Sequence, residues 1–130
     1  MYDIIIIGGG LSGLLIARAA QSAGKNWKLL EARPTLGGRL QNDDGGNKID
    51  LGGAWIWPRH QPLIKELVDS LGINTFLQPD DSSSTRIVGG ASEIITKIVE
   101  ELNTDDYSSS GEETGTRIET NCPVVSCKRK

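Results

Sequence analysis

Residues 2 to 24 read "YDIIIIGGGLSGLLIARAAQSAG", and the step from four isoleucines into three glycines constrains this chain more than any other feature. A run of consecutive β-branched residues closed by glycine suits a short strand buried on both faces of a parallel sheet. The chain then turns at once into a helical pattern that runs to Gly24, a residue suited to closing a helix in the left-handed conformation. A signal sequence or membrane span is excluded, because the run lacks a basic leader and is broken by glycines and by Arg18. With no such segment in view, the default expectation is a cytoplasmic protein.

Gly8, Gly10 and Gly13 fit the pattern G-x-G-x-x-G, and each has a physical task. The first permits the tight turn, the second lets a pyrophosphate approach the backbone, and the third lets helix and strand pack closely. The helix then offers free N–H groups and the positive end of its dipole to phosphate. "NWKLLEAR" supplies a second strand that ends at Glu31, 18 residues after Gly13. That is near the spacing at which a carboxylate accepts the hydroxyls of an adenosine ribose. The glycine pattern alone is weak evidence, but strand, helix, second strand and acid in this order point to dinucleotide binding. A carboxylate at Glu31 would repel the 2′-phosphate of NADP, which leaves NAD or FAD.

Two further glycine pairs, in "ARPTLGGRL" and "NKIDLGGAWIWP", mark other places where bare backbone approaches something. The combination E-A-R-x-x-x-G-G-R followed by D-L-G-G-x-W resembles the amino-terminal part of the flavin-containing amine oxidoreductases, the monoamine and polyamine oxidase family. The resemblance implies FAD. It gives Gly8, Gly10, Leu11, Ser12 and Gly13 to the pyrophosphate turn, Glu31 to the ribose and Arg33 to a second adenosine-side contact. It sets Gly38 and Arg39 beside the flavin phosphates, and runs Gly53, Ala54 and Trp55 along the isoalloxazine ring. It also implies that Val124, the valine after a proline, meets the adenine through its backbone. Read without it, Arg33 and Arg39 are also compatible with solvated surface charges, and Trp55 and Trp57 with plain core.

In "RHQPLIKELVDSLG", Pro62 suits a first helical turn, and Leu63, Ile64, Leu67, Val68 and Leu71 form one apolar face. His60, the only histidine, reads as a solvated loop residue. "TRIVGGASEIITKIVEEL" repeats the helical spacing at Ile94, Ile95, Ile98, Val99 and Leu102, and "TRIETNCPVVSCK" reads as a strand. Cys122 and Cys127 read as ordinary thiols, and no metal-ligand spacing occurs. Between these patterned parts, "LQPDDSSST" has no hydrophobic period and reads as an exposed loop.

The expected fold is therefore α/β, a three-layer Rossmann-like FAD-binding domain over residues 1–130. Its parallel strands fall at residues 3–7, 27–31 and 117–126, and its helices at 11–23 and 91–102. The resemblance implies a seam at 77–86, where most of a substrate domain is absent. It also stops at Lys130, before the family's active-site lysine, aromatic cage and closing flavin segment, so the expectation is an internally shortened and truncated form with no catalytic residue assigned. The net charge of −3 gives no electrostatic reason for a nucleic-acid or anionic-membrane partner. The implied activity is oxidation of an amine C–N bond with hydride transfer to flavin, on a small-molecule amine, once missing segments complete the site. The alternatives are a non-catalytic FAD- or ADP-binding remnant and, behind it, an NAD-binding module; which amine and which oligomeric state stay open.

Overall fold

The isoleucine run forms strand β1 (Ile4–Ile7), followed by α1 (Leu11–Ser22), β2 (Trp27–Leu30), β3 (Trp55–Ile56), α2 (Pro62–Ser70), β4 (Thr75–Gln78), β5 (Asp81–Ile87), α3 (Ser92–Thr104) and β6 (Ile118–Glu119). The structure is a computed structural model and describes residues 1–43, 49–104 and 117–128. By internal contacts it divides into two units, Met1–Gly38 with Ile98–Lys130, and Arg39–Lys97.

The first unit holds the parallel sheet, in the order β1-β2-β6, with Ile4 opposite Trp27, Ile6 opposite Leu29 and Leu29 opposite Ile118. Side chains alternate across a strand, so these residues share one face. On it Ile6, Trp27 and Leu29 are buried, together with Leu14, Ala17 and Ala20 of α1 and Ile98 and Leu102 of α3. Arg18 of α1 pairs with Glu101 of α3 at 2.7 Å, and the Arg117 guanidinium lies over the Trp27 ring at 5.7 Å from its centroid. Gly24 closes α1 at φ +64°, as its sequence position suggested.

Two expectations for this unit are corrected. β1 is buried on one face only: Ile5 and Ile7 are 58% and 62% exposed, while Ile6 on the other face packs against α1 at Gly13. The strand expected over 117–126 pairs only at Ile118–Glu119. Beyond it, Asn121 N–H donates to Arg33 O at 3.0 Å and Cys122 N–H to Glu31 O at 2.9 Å, and Asn121 turns the chain at φ +55°. Val124 follows in irregular chain and is exposed.

The second unit is an antiparallel sheet in the order β3-β5-β4, packed with α2 and the start of α3 around Ala54, Ile56, Val68, Leu71, Ile73, Ile87, Ala91, Ile94 and Ile95. Here the exposed-loop reading of "LQPDDSSST" is overturned. The stretch is a β-hairpin turning at Pro79–Asp80, and its second strand, β5, is the central strand of the sheet, with Ser84 buried. On α2, Val68 is buried while Leu63 stays exposed, so the amphipathic face is only partly covered.

Candidate dinucleotide site

The turn between β1 and α1 is built by backbone alone. Gly8 has φ +101°, a conformation that L side chains rarely adopt, and its N–H donates to Leu30 O at 2.8 Å. A Cβ at Gly13 would collide with the carbonyl oxygen of Gly8, so helix and strand approach as closely as they do only with glycine there. Gly10 is the N-cap of α1, with extended backbone and no side-chain cap, and no acidic residue occupies the first turn. The N–H groups at Leu11 and Ser12 therefore point out of a helix end whose partial positive charge nothing on the helix neutralises.

β2 delivers Glu31 to the same turn. Its Oε2 accepts from Gly9 N–H at 2.6 Å and its Oε1 from Arg33 N–H at 2.8 Å. These two backbone donors, Arg33 first, hold the carboxyl below its ordinary value of 4.5, with the Arg33 charge assisting and partial burial opposing. Each oxygen keeps a lone pair, so the carboxylate can accept two hydroxyls side by side. The Arg33 side chain is exposed. Gly37 N–H donates to Gly9 O at 2.8 Å, which brings Gly38, at φ +59°, next to Gly10. Among the described residues, only the Cα of Gly38, at 4.0 Å, comes within reach of a Cβ placed on Gly10. Among the described residues Val124 makes no hydrogen bond to this cluster, although the chain just before it is tied to Glu31 and Arg33 through Asn121 and Cys122.

Residues 6–71 match the NAD(P)-binding Rossmann-like domain family. The chain belongs to that family. Within it, the Rossmann-like chain is similar to flavin-containing amine oxidases: it is 40% identical over 79 residues to (S)-6-hydroxynicotine oxidase of Paenarthrobacter nicotinovorans, covering 58% of this chain and 19% of that protein. It is 37% identical over 94 residues to a flavin-containing amine oxidase of Danio rerio, covering 70% and 18%. Among solved structures, putrescine oxidase bound to putrescine superposes with a TM-score of 0.53 at 38% identity, over 58% of this chain and 17% of that one. A wider but more distant likeness, to Thermovibrio ammonificans THI4, has a TM-score of 0.58 at 18% identity over 92% of this chain and 37% of that one, and bears on the fold alone. The chain thus spans about a fifth of the length of the curated relatives.

The remaining sequence-derived residues lie in the second unit and are described there by themselves. Arg39 and Gly53 are exposed, Ala54 is buried, and Trp55 is half exposed, so the plain-core reading of Trp55 does not hold. The segments around residues 39–43 and 49–53 run antiparallel, with Leu51 N–H donating to Gln41 O at 2.8 Å. A Cβ at Gly52 would collide with the carbonyl oxygen of Arg39. His60 is exposed in the turn before α2.

Sequence reasoning missed Asp50. Its side chain is 3% exposed; Oδ2 accepts from Arg86 Nη2 at 2.8 Å and Oδ1 from Ala91 N–H at 2.6 Å. Asn42 Nδ2 donates to Gly89 O at 3.1 Å beside it. The acid of D-L-G-G thus ties the 39–53 segment to the glycine turn that opens α3. The local signal was a charged residue in an otherwise apolar and glycine-rich run, but its partners are 36 and 41 residues away. Among the described residues no cluster of histidine, cysteine, aspartate or glutamate could hold a metal ion, and no helix is long and apolar enough to cross a membrane.

Proposed function

We propose that this chain is an FAD-binding part of a flavin amine oxidase, and that the observation carrying this reading is Glu31 held between the N–H groups of Gly9 and Arg33 beside the Gly8–Gly13 turn. The residues present fit an ADP moiety. The bare backbone at Gly10 and the uncapped start of α1 suit a pyrophosphate, and the oriented Glu31 carboxylate suits ribose hydroxyls. Glu31 also disfavours a 2′-phosphate by charge, which favours FAD over NADP. Arg33 and Val124 are assigned to the adenosine side.

Gly38 and Arg39 are assigned to the flavin phosphates, and Gly53, Ala54 and Trp55 to the flavin ring. When bound, FAD would supply the hydride acceptor for oxidation of an amine C–N bond. The chain's own residues bind and orient it; none matches the lysine or aromatic cage that the family resemblance implies for the substrate side. Amine oxidation is therefore assigned to a complete protein of this type, with a small amine as substrate.

Calorimetric titration of the purified chain with FAD, ADP and NADP tests the reading. Binding of FAD with ADP as competitor is expected, and no peroxide release on adding primary amines or polyamines to the FAD-loaded chain. Failure of both FAD and ADP to bind would overturn the assignment.

A further inference from the structure

Arg86 of β5 stands directly opposite Trp55 of β3 on one side and Phe76 of β4 on the other. Residues directly opposite in neighbouring strands project from the same face of a sheet. The guanidinium carbon lies over the Trp55 ring at 5.5 Å from its centroid, while Nη2 donates to the buried Asp50 at 2.8 Å. Asp50 is itself fixed, because its second oxygen takes the Ala91 N–H. Phe76, 46% exposed, stands on the opposite flank, and the indole remains 50% exposed.

We infer that Arg86, anchored by Asp50, is a positioning residue that sets the plane of the Trp55 indole against the flavin ring. The inference deepens the proposed function and rests on its assignment of Trp55. A half-exposed indole on a two-residue strand has few packing neighbours to fix its plane, whereas a planar cation at stacking distance favours one ring orientation over others. The cation is itself tied down by a carboxylate on a different segment, so indole, guanidinium and Asp50 act as one assembly. Lysine at this position keeps the charge for Asp50 and loses the flat surface over the ring.

The test uses the full chain and compares Arg86→Lys, Trp55→Leu and the double variant, each titrated with FAD and with ADP. ADP affinity is expected to stay within about twofold in all three, since the positioned ring does not meet ADP. FAD affinity is expected to fall about fivefold in Arg86→Lys, the scale of one exposed cation–π contact. A similar fall is expected in Trp55→Leu and no further fall in the double variant, because one residue acts through the other. A merely structural role would lower the melting temperature without changing the ratio of FAD to ADP affinity. If Arg86→Lys fails to fold, Arg86→Gln, which still donates to Asp50 but carries no charge, is read the same way. An unchanged FAD-to-ADP ratio in the folded variant, or effects of the two single changes that multiply, overturns the inference and leaves the proposed function standing. Binding of neither ligand by the unaltered chain overturns both.

Discussion

The N–H of Gly9 donates to Oε2 of Glu31 at 2.6 Å, so the acid at the end of β2 and the glycine turn after β1 are one hydrogen-bonded unit before any ligand arrives. Because Arg33 N–H holds the other oxygen, the carboxylate is fixed in both position and charge. A group fixed in advance loses little freedom on binding, which is what gives it value as a recognition element.

Replacing Glu31 by alanine is therefore expected to weaken ADP and FAD binding by roughly 2 kcal/mol, about thirtyfold, the scale of hydrogen bonds to a charged acceptor. The same change should improve NADP relative to ADP, since the repelling charge is gone. Calorimetry on both proteins measures this. Tighter binding of NADP than of ADP by the unaltered chain would contradict the role given to Glu31.

The depressed Glu31 carboxyl sets the sign of the pH dependence. A carboxylate whose folded value lies below its unfolded value contributes stability above the ordinary value of 4.5, and loses it as the pH falls through the depressed one. Stability and ADP affinity should both decline in that acid range and be flat in this component from pH 5 to 7. Glu31→Gln should remove this component from the profile. Denaturant titrations and ADP binding at stepped pH check it, and an unaltered acid limb in the glutamine variant would assign the effect elsewhere.

Gly52→Ala is expected to destabilise the second unit by roughly 1–3 kcal/mol, because its Cβ meets backbone, the Arg39 carbonyl, and not a side chain free to rotate. At Gly53 the nearest obstacle is the movable Leu40 Cδ2 at 3.3 Å, so Gly53→Ala should cost only about 0.5 kcal/mol. Thermal melts of the two variants make the comparison, and equal losses would refute it.

β5 is paired on both sides at Thr85 and Arg86. Their amides should exchange slowly with solvent, whereas those at the Pro79–Asp80 turn should exchange fast. One glycine inserted between Thr85 and Arg86, where both neighbours pair regularly, shifts the register and reverses which side chains face the core, so a loss of roughly 2 kcal/mol or more is expected. The same insertion between Pro79 and Asp80 only lengthens a turn and should cost about 1 kcal/mol or less. Rapid exchange throughout residues 81–87 would restore the loop reading.

Those parts of the molecule whose cause is local were determined by the sequence itself. The β1 turn, α1 and β2 follow from a β-branched run, three spaced glycines and a closing glycine. Both α2 and α3 follow from apolar residues at helical spacing. Glu31 was identifiable as a site residue because its distance from the glycine turn along the chain is set by one helix and one strand. The tertiary structure alone decided the rest. "DDSSSTR" has no hydrophobic period because Asp81, Ser82 and Ser83 are exposed and the residue buried after them is the polar Ser84, and it is a strand because Trp55, Ile56, Phe76 and Leu77 supply backbone partners on both sides at Thr85 and Arg86. Ile5 and Ile7 read as core, yet are exposed, because composition cannot tell which face of a sheet the helices cover. Asp50 stood in the sequence only as the first residue of D-L-G-G-x-W, with no role of its own. Its burial is offset by Arg86 and the Ala91 N–H, and a cost offset by groups so far along the chain leaves no mark in the residues beside it.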